Sequence, residues 1–192
     1  IFNALNSIQV QFMYGDKLVA NEQLNNFTYL TRQILEVSGK KQIAISDEVD
    51  ILTKYLELEK LRFQKDFTYT ISVAENIDED YHKVPPMLIQ PIVENSLKHG
   101  LMHKKGAKTI HVHFDIDQNE THIICTVKDN GIGRTKAAEI KAKNNSEHNS
   151  FSTSSIIQRL ELLNTGLHLK NLLEYQDLKQ GDEVNGTNTI LR

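Results

Sequence analysis

The sequence predicts an α+β protein, with a helical hairpin first and then helices layered on one face of a mixed, mostly antiparallel sheet. Three observations predict it. From Ile1 to Val37 the apolar residues recur at the helical period. Later, Phe67 to Val73, Ile110 to Ile116 and Ile123 to Val127 alternate apolar with polar residues, the period of a strand. Each alternating stretch is apolar on one side only. Such strands need cover on that side alone, which argues against a doubly wound fold.

Composition sets the class. The chain has 192 residues, 39% hydrophobic and 24% charged, with a net charge of -3. That length gives ample core for one domain and allows two. The charge offers no electrostatic case for nucleic acid or an anionic membrane. No apolar run reaches the roughly 18 residues of a spanning helix, and no signal peptide is visible. Cys125, the single cysteine, excludes an intramolecular disulfide.

The elements follow in order. Ile1, Leu5, Ile8 and Phe12 form one helical face. Gly15-Asp16 reads as a turn. Leu24, Phe27, Leu30, Ile34 and Val37 make a second helix that ends near Ser38-Gly39. So small a hairpin buries too little to stand alone, so it pairs with a copy of itself as half of a four-helix bundle, or packs on the rest of the chain. Lys40 to Gln42 reads as a linker, dividing a hairpin domain (1–42) from a second domain (43–192). Ser46 is expected to cap the next helix, with Asp47 and Glu48 in its first turn and Ile51, Leu52, Tyr55, Leu56 and Leu58 toward the core. The strand from Phe67 comes next, and after it a helix through Pro85 to Gly100. Two further strands form a hairpin turning at Asp117 to Glu120. Lys141 to Ser155, rich in Asn and Ser, reads as a mobile loop. Ile156, Leu160 and Leu163 suggest a helix, Leu173 and Tyr175 a fourth strand, and Thr189 to Arg192 the start of a fifth, inside which the chain is expected to end.

Two stretches carry chemistry. In the first, Leu88, Ile92, Asn95 and His99 share a helical face that begins apolar and ends in an amide and an imidazole, with Gly100 expected to stop the helix. A core helix whose Asn95 only bonds a loop would look the same. In the second, Val127 to Gly133, period two puts Asp129 on the core side with Cys125 and Val127. A carboxylate aimed inward is expensive unless hydrogen-bonded. It could accept from the exocyclic amine of an adenine, where guanine would offer a carbonyl. Gly131 and Gly133 would let backbone approach a flat base. A strand-ending Asp-Asn-Gly turn is the simpler alternative. His111 and His113 share a strand face. A solvated polar face is the better reading of that pair than a metal site, since no Cys or carboxylate stands at matching spacing.

In combination, Glu94-Asn95 with His99-Gly100, a β hairpin, and Asp129-x-Gly131-x-Gly133 resemble the Bergerat (GHKL) ATP-binding fold of histidine kinases, gyrase-type ATPases, Hsp90 chaperones and MutL. Gln90 to Gly100 resembles the LytS/YesM group of bacterial sensor histidine kinases. Phe2-Asn3-Ala4-Leu5-Asn6 resembles that group's phosphoacceptor segment, and Tyr55 to Phe63 its next signature. The resemblance implies an ATP-dependent protein-histidine kinase of a two-component system. It implies ATP and Mg²⁺ as cofactors and the cytoplasmic domain of an inner-membrane protein, reaching the membrane through upstream segments. A homodimer and a response regulator, of LytTR type in this group, are the implied partners, without direct contact to nucleic acid.

Residue by residue, the resemblance implies that Asn95 gives its side-chain oxygen to Mg²⁺. Glu94 takes at most a supporting role, about 100° away around the helix. Lys98, His99 and Gly100 lie near the phosphates. Asp129 selects adenine, with Gly131 and Gly133 beside the base, and Gly186-Thr187 matches the pair that ends the pocket. Two departures stand out. Ser150 to Ser155 occupies the place of a second glycine box, so Ser152 and Thr153 would meet the phosphates as hydroxyl donors with less backbone freedom. That opens the alternative of a degenerate pseudokinase acting as a dimeric scaffold. The acceptor histidine of the group lies two residues before the position of Ile1, so this sequence is expected to lack it and to be inactive in autophosphorylation by itself. Pro91 stands where hydrolysing relatives carry a water-activating carboxylate, which implies transfer to protein in place of hydrolysis.

Overall fold

The computed structural model describes residues 2–63, 66–119, 122–143, 151–163, 172–180 and 183–192. In chain order the elements are α1 (Phe2–Tyr14), α2 (Lys17–Ser38), β1 (Ile43–Ala44), α3 (Ile45–Phe63), β2 (Phe67–Val73), β3 (Lys83–Val84), α4 (Gln90–Asn95) running directly into a π-helical turn (Ser96–Leu101), β4 (Lys108–Ile116), β5 (Ile123–Asp129), α5 (Arg134–Lys143), α6 (Phe151–Leu163), β6 (Leu173–Gln180) and β7 (Glu183–Leu191). They form two compact units: Ile1–Phe67 with Asp78–Met87, and Thr68–Ile77 with Leu88–Arg192.

In the first unit, α1 and α2 make the expected hairpin. Asp16 caps α2, its carboxylate accepting from Leu18 N at 2.8 Å, so the Gly15-Asp16 turn and the helix start are one device. Leu30, Ile34 and Val37 are buried as the periodicity predicts, but Leu24 is 44% exposed and Phe12 56%. The core of α3 is as expected, with Ile51, Leu52, Tyr55, Leu56 and Leu58 all buried. Its start is not. Ser46 does not cap it: α3 opens at Ile45, and the free N–H groups of Ile45 and Ser46 donate to the carbonyls of His82 and Glu79, each at 3.0 Å. Backbone from the segment around β3 does the work expected of a side chain. The two-residue β1, which pairs antiparallel with β3, is too short to show as a pattern.

The second unit carries a five-stranded sheet ordered β2-β4-β5-β7-β6. The β4–β5, β5–β7 and β7–β6 pairs are antiparallel. Thr70 bonds His111 and Ser72 bonds His113, partner numbers rising together, so β2 runs parallel to β4 and the sheet is mixed. One face is apolar: Ile110, Val112, Phe114, Cys125, Val127 and Leu191 are buried there, and the π-turn packs on β4, β5 and β7. His111 and His113 stand on the other face, each imidazole bonded to the hydroxyl of its β2 neighbour, and among the described residues no cluster of metal-ligating side chains exists.

Three element expectations are corrected. The helix read from Pro85 begins only at Gln90, with Pro91 in its first turn, where a missing N–H is harmless. The Lys141–Ser155 stretch is not one loop. Helix α5 runs through Lys143 and α6 begins at Phe151, while residues 144–150 lie outside the described residues. Nothing in α5 is buried, so no apolar period betrays it. β7 also starts earlier than expected, placing Gly186-Thr187 within the strand.

Candidate functional site

Asp129 ends β5 on the core face, 3% exposed, as the alternation from Cys125 and Val127 requires. Its neighbours satisfy it. Gly131 N donates to Oδ1 at 2.8 Å, and the Ser96 hydroxyl and the Thr187 backbone N–H donate to the same carboxylate. Burial nevertheless holds its pKa above the ordinary aspartate value of 3.8; the three donors and the charge of Lys104 pull the other way and are outweighed. A carboxylate offers roughly four acceptor positions, so about one is left for a further donor.

The backbone around Asp129 is too tight for side chains. A Cβ on Gly131 would lie 2.6 Å from the Gly100 backbone and 2.8 Å from Asp129 Oδ1. Gly186, at φ +127°, would drive its Cβ into the Asp129 carbonyl. The same contact explains Gly100. It does not stop the helix, as the sequence suggested, but sits inside the π-turn, pressed against Gly131, with its carbonyl accepting from Ile132 N at 3.3 Å. A π-turn within a helix often marks a functional site. Here it follows Asn95 directly and brings Ser96 to Asp129.

These elements enclose a cavity of about 110 Å³, lined in part by Ile92, Asn95, His99, Asp129 and Thr187. Of the residues singled out in the sequence, Asn95, His99, Gly100, Asp129, Gly133 and Thr187 all line it. Gly131 and Gly186 stand behind the lining and shape it. Glu94 and Lys98 are exposed and do not line it. Ser152 and Thr153 fall in the first turn of α6, and their side chains lie outside the described residues. Partial burial of the His99 ring, with the charges of Lys98 and Lys141, pushes its pKa below 6.5, which favours the neutral imidazole at pH 7. Sequence reasoning missed Ser96, Arg134, Ala137, Tyr175 and Thr189, which also line the cavity. The pairing of β5 with β7 and β7 with β6 brings Thr189 and Tyr175 onto the face of Asp129, and α5 supplies Arg134 and Ala137; no local pattern announces either. Ser96 is the exception, since it follows Asn95 on the helix.

Residues 1–67 match the histidine kinase family. The sensor histidine kinase/phosphatases LytS of Staphylococcus aureus strains MRSA252 and N315 are each 30% identical over 183 residues, which is 94% of this chain and 30% of each relative. The chain belongs to the histidine kinase family. Its relatives there are sensors of LytS type, and it spans 30% of the length of the curated relatives it matches. The solved structure of a bacterial phosphotransferase is similar at a TM-score of 0.50 and 12% identity, covering 98% of this chain and 86% of that one, a likeness of fold. For a histidine kinase the α+β architecture with one covered sheet face is the expected arrangement, and the chain has it. Among the described residues no helix is long and apolar enough to cross a membrane.

Proposed function

We propose that this chain is the kinase core of a bacterial two-component sensor, with residues 1–42 as its dimerising hairpin and 43–192 as its catalytic domain. The pocket of the second unit holds ATP with Mg²⁺. The γ-phosphate passes to a histidine of the helical hairpin and from there to a response regulator, of LytTR type as in this group. The observation that carries the reading is Asp129: a buried carboxylate with three internal donors and about one acceptor position open to the cavity. That position suits the exocyclic amine of adenine and repels the carbonyl of guanine. The cavity is smaller than the several hundred Å³ of a site that swallows a whole drug-sized ligand. It takes the base, and the sugar and phosphates extend outward.

The chain's residues fit Mg²⁺ as a guest of the phosphates. Among the described residues no cluster of His, Cys, Asp and Glu could hold a metal alone, and the Asn95 amide oxygen in the lining is a suitable hard donor. Mg²⁺ supplies charge neutralisation when bound. Asn95 orients the phosphate end, neutral His99 lines the pocket beside it, and Lys98 on the exposed side adds a cation. Positioning and charge then lower the barrier for transfer. Pro91, without a carboxylate, leaves water unactivated, so transfer to protein is favoured over hydrolysis.

None of the eight histidines lies in α1 or α2, so the acceptor is sought in the full-length protein. Purified full-length protein incubated with γ-labelled ATP and Mg²⁺ should take up acid-labile, alkali-stable phosphate, and lose it in Asn95→Ala and Asp129→Asn. The serines replacing the second glycine box support one other reading, a nucleotide-independent scaffold. No labelling, with regulator binding retained, would favour it.

A further inference from the structure

The far wall of the cavity is made by two residues of unlike chemistry. Arg134 opens α5 and Tyr175 lies on the edge strand β6, and the guanidinium carbon sits 4.6 Å from the centroid of the Tyr175 ring. Both line the cavity that holds Asp129. The placement of Arg134 is not what helix formation asks for. The first turn of α5 contains Arg134 and Lys136 and no acid, against the preference of a helix N-terminus for negative charge. Among the described residues no carboxylate forms an ion pair with Arg134. The guanidinium is held by an aromatic face. Strand register places Tyr175 opposite Thr189, and Thr189 opposite Val127, so all three side chains share the face on which Asp129 lies. From β5 to β6 is two strand spacings, about 10 Å. That span leaves room for a purine bonded at one edge to Asp129 to lay a face against the wall.

We propose that Arg134 and Tyr175 act as one stacking wall for the nucleotide base, setting how tightly the base is held, while Asp129 sets which base enters. The proposal rests on the nucleotide reading above. Cation–π contact and stacking strengthen together when a third planar group joins them out of water.

The test is binding of ADP and of AMP by fluorescence or calorimetry to the chain and to Arg134→Ala, Tyr175→Ala, the double variant and Tyr175→Phe, each checked for an unchanged melting temperature. Each alanine variant should weaken ADP about fivefold and AMP by the same factor, because the wall meets the base and not the phosphates. The double variant should lose little more than either single one, as members of one unit do. Tyr175→Phe, which keeps the ring, should bind as the parent does. Alanine variants that bind normally would overturn the wall and leave the nucleotide site standing. A loss in Arg134→Ala that shrinks from ADP to AMP would make Arg134 a phosphate contact and overturn it too. A parent chain that binds neither nucleotide would overturn the site itself and the wall with it.

Discussion

At the scale of single residues, Asp129 is where stability and function pull apart. Its pKa is raised by burial, so below the ordinary value of 3.8 the folded and unfolded chains both hold the proton and no penalty exists. As pH climbs above 3.8 the unfolded chain ionises first, and stability falls until the folded carboxylate ionises in turn. Asp129→Asn keeps an oxygen for Gly131 N and removes this penalty, while its amide N–H₂ replaces an oxygen of the carboxylate to which Ser96 and Thr187 donate, a cost independent of pH. The melting temperature of the parent relative to Asp129→Asn should therefore fall as pH rises from about 3 to about 7, while the variant loses adenine binding. Melting scans across pH measure this. Gly186→Ala should act oppositely, on fold first: at φ +127° and against the Asp129 carbonyl, it should destabilise by about 1–3 kcal/mol in denaturant titration. Asp129 was legible because strand alternation is local. The tightness at Gly186 was not, because it is a contact between strands.

At the scale of elements, the sequence shows what is periodic and one-sided. The buried faces of β4 and β5 are the apolar halves of their alternation, and Phe114, fully buried, should cost about 3–5 kcal/mol as Phe114→Ala. Helix α5 escapes because it buries nothing. The π-turn escapes because α and π helices place residues in nearly the same sequence pattern; the bond from Met102 N to the Leu97 carbonyl, five residues back at 2.9 Å, reveals the difference. That turn accommodates one residue more than an α-helix would. Deleting Lys98, which is exposed and outside the lining, should restore regular α winding and move His99 and Gly100 out of their places relative to Asn95 and Gly131. Helicity by circular dichroism should persist while nucleotide binding is lost.

At the scale of the molecule, the sequence suggests a division at 42/43, whereas the first compact unit runs on through α3 to Phe67 and takes in Asp78–Met87. The hairpin shows an apolar groove of about 390 Å³ lined by Leu5, Ile8, Phe12, Met13, Ala20 and Leu24. Phe12→Glu there should shift the chain toward monomer in sedimentation, with the second unit still binding nucleotide. The nucleotide site proposed for the second unit depends on Asn95 and Asp129, two side chains from separate elements lining one cavity. The most direct measurement is calorimetric titration of the chain with a non-hydrolysable ATP analogue and Mg²⁺, beside Asn95→Ala and Asp129→Asn. Saturable binding by the parent, lost in both variants, is the predicted result. No binding by the parent up to millimolar nucleotide, or equal binding by all three proteins, would contradict the account.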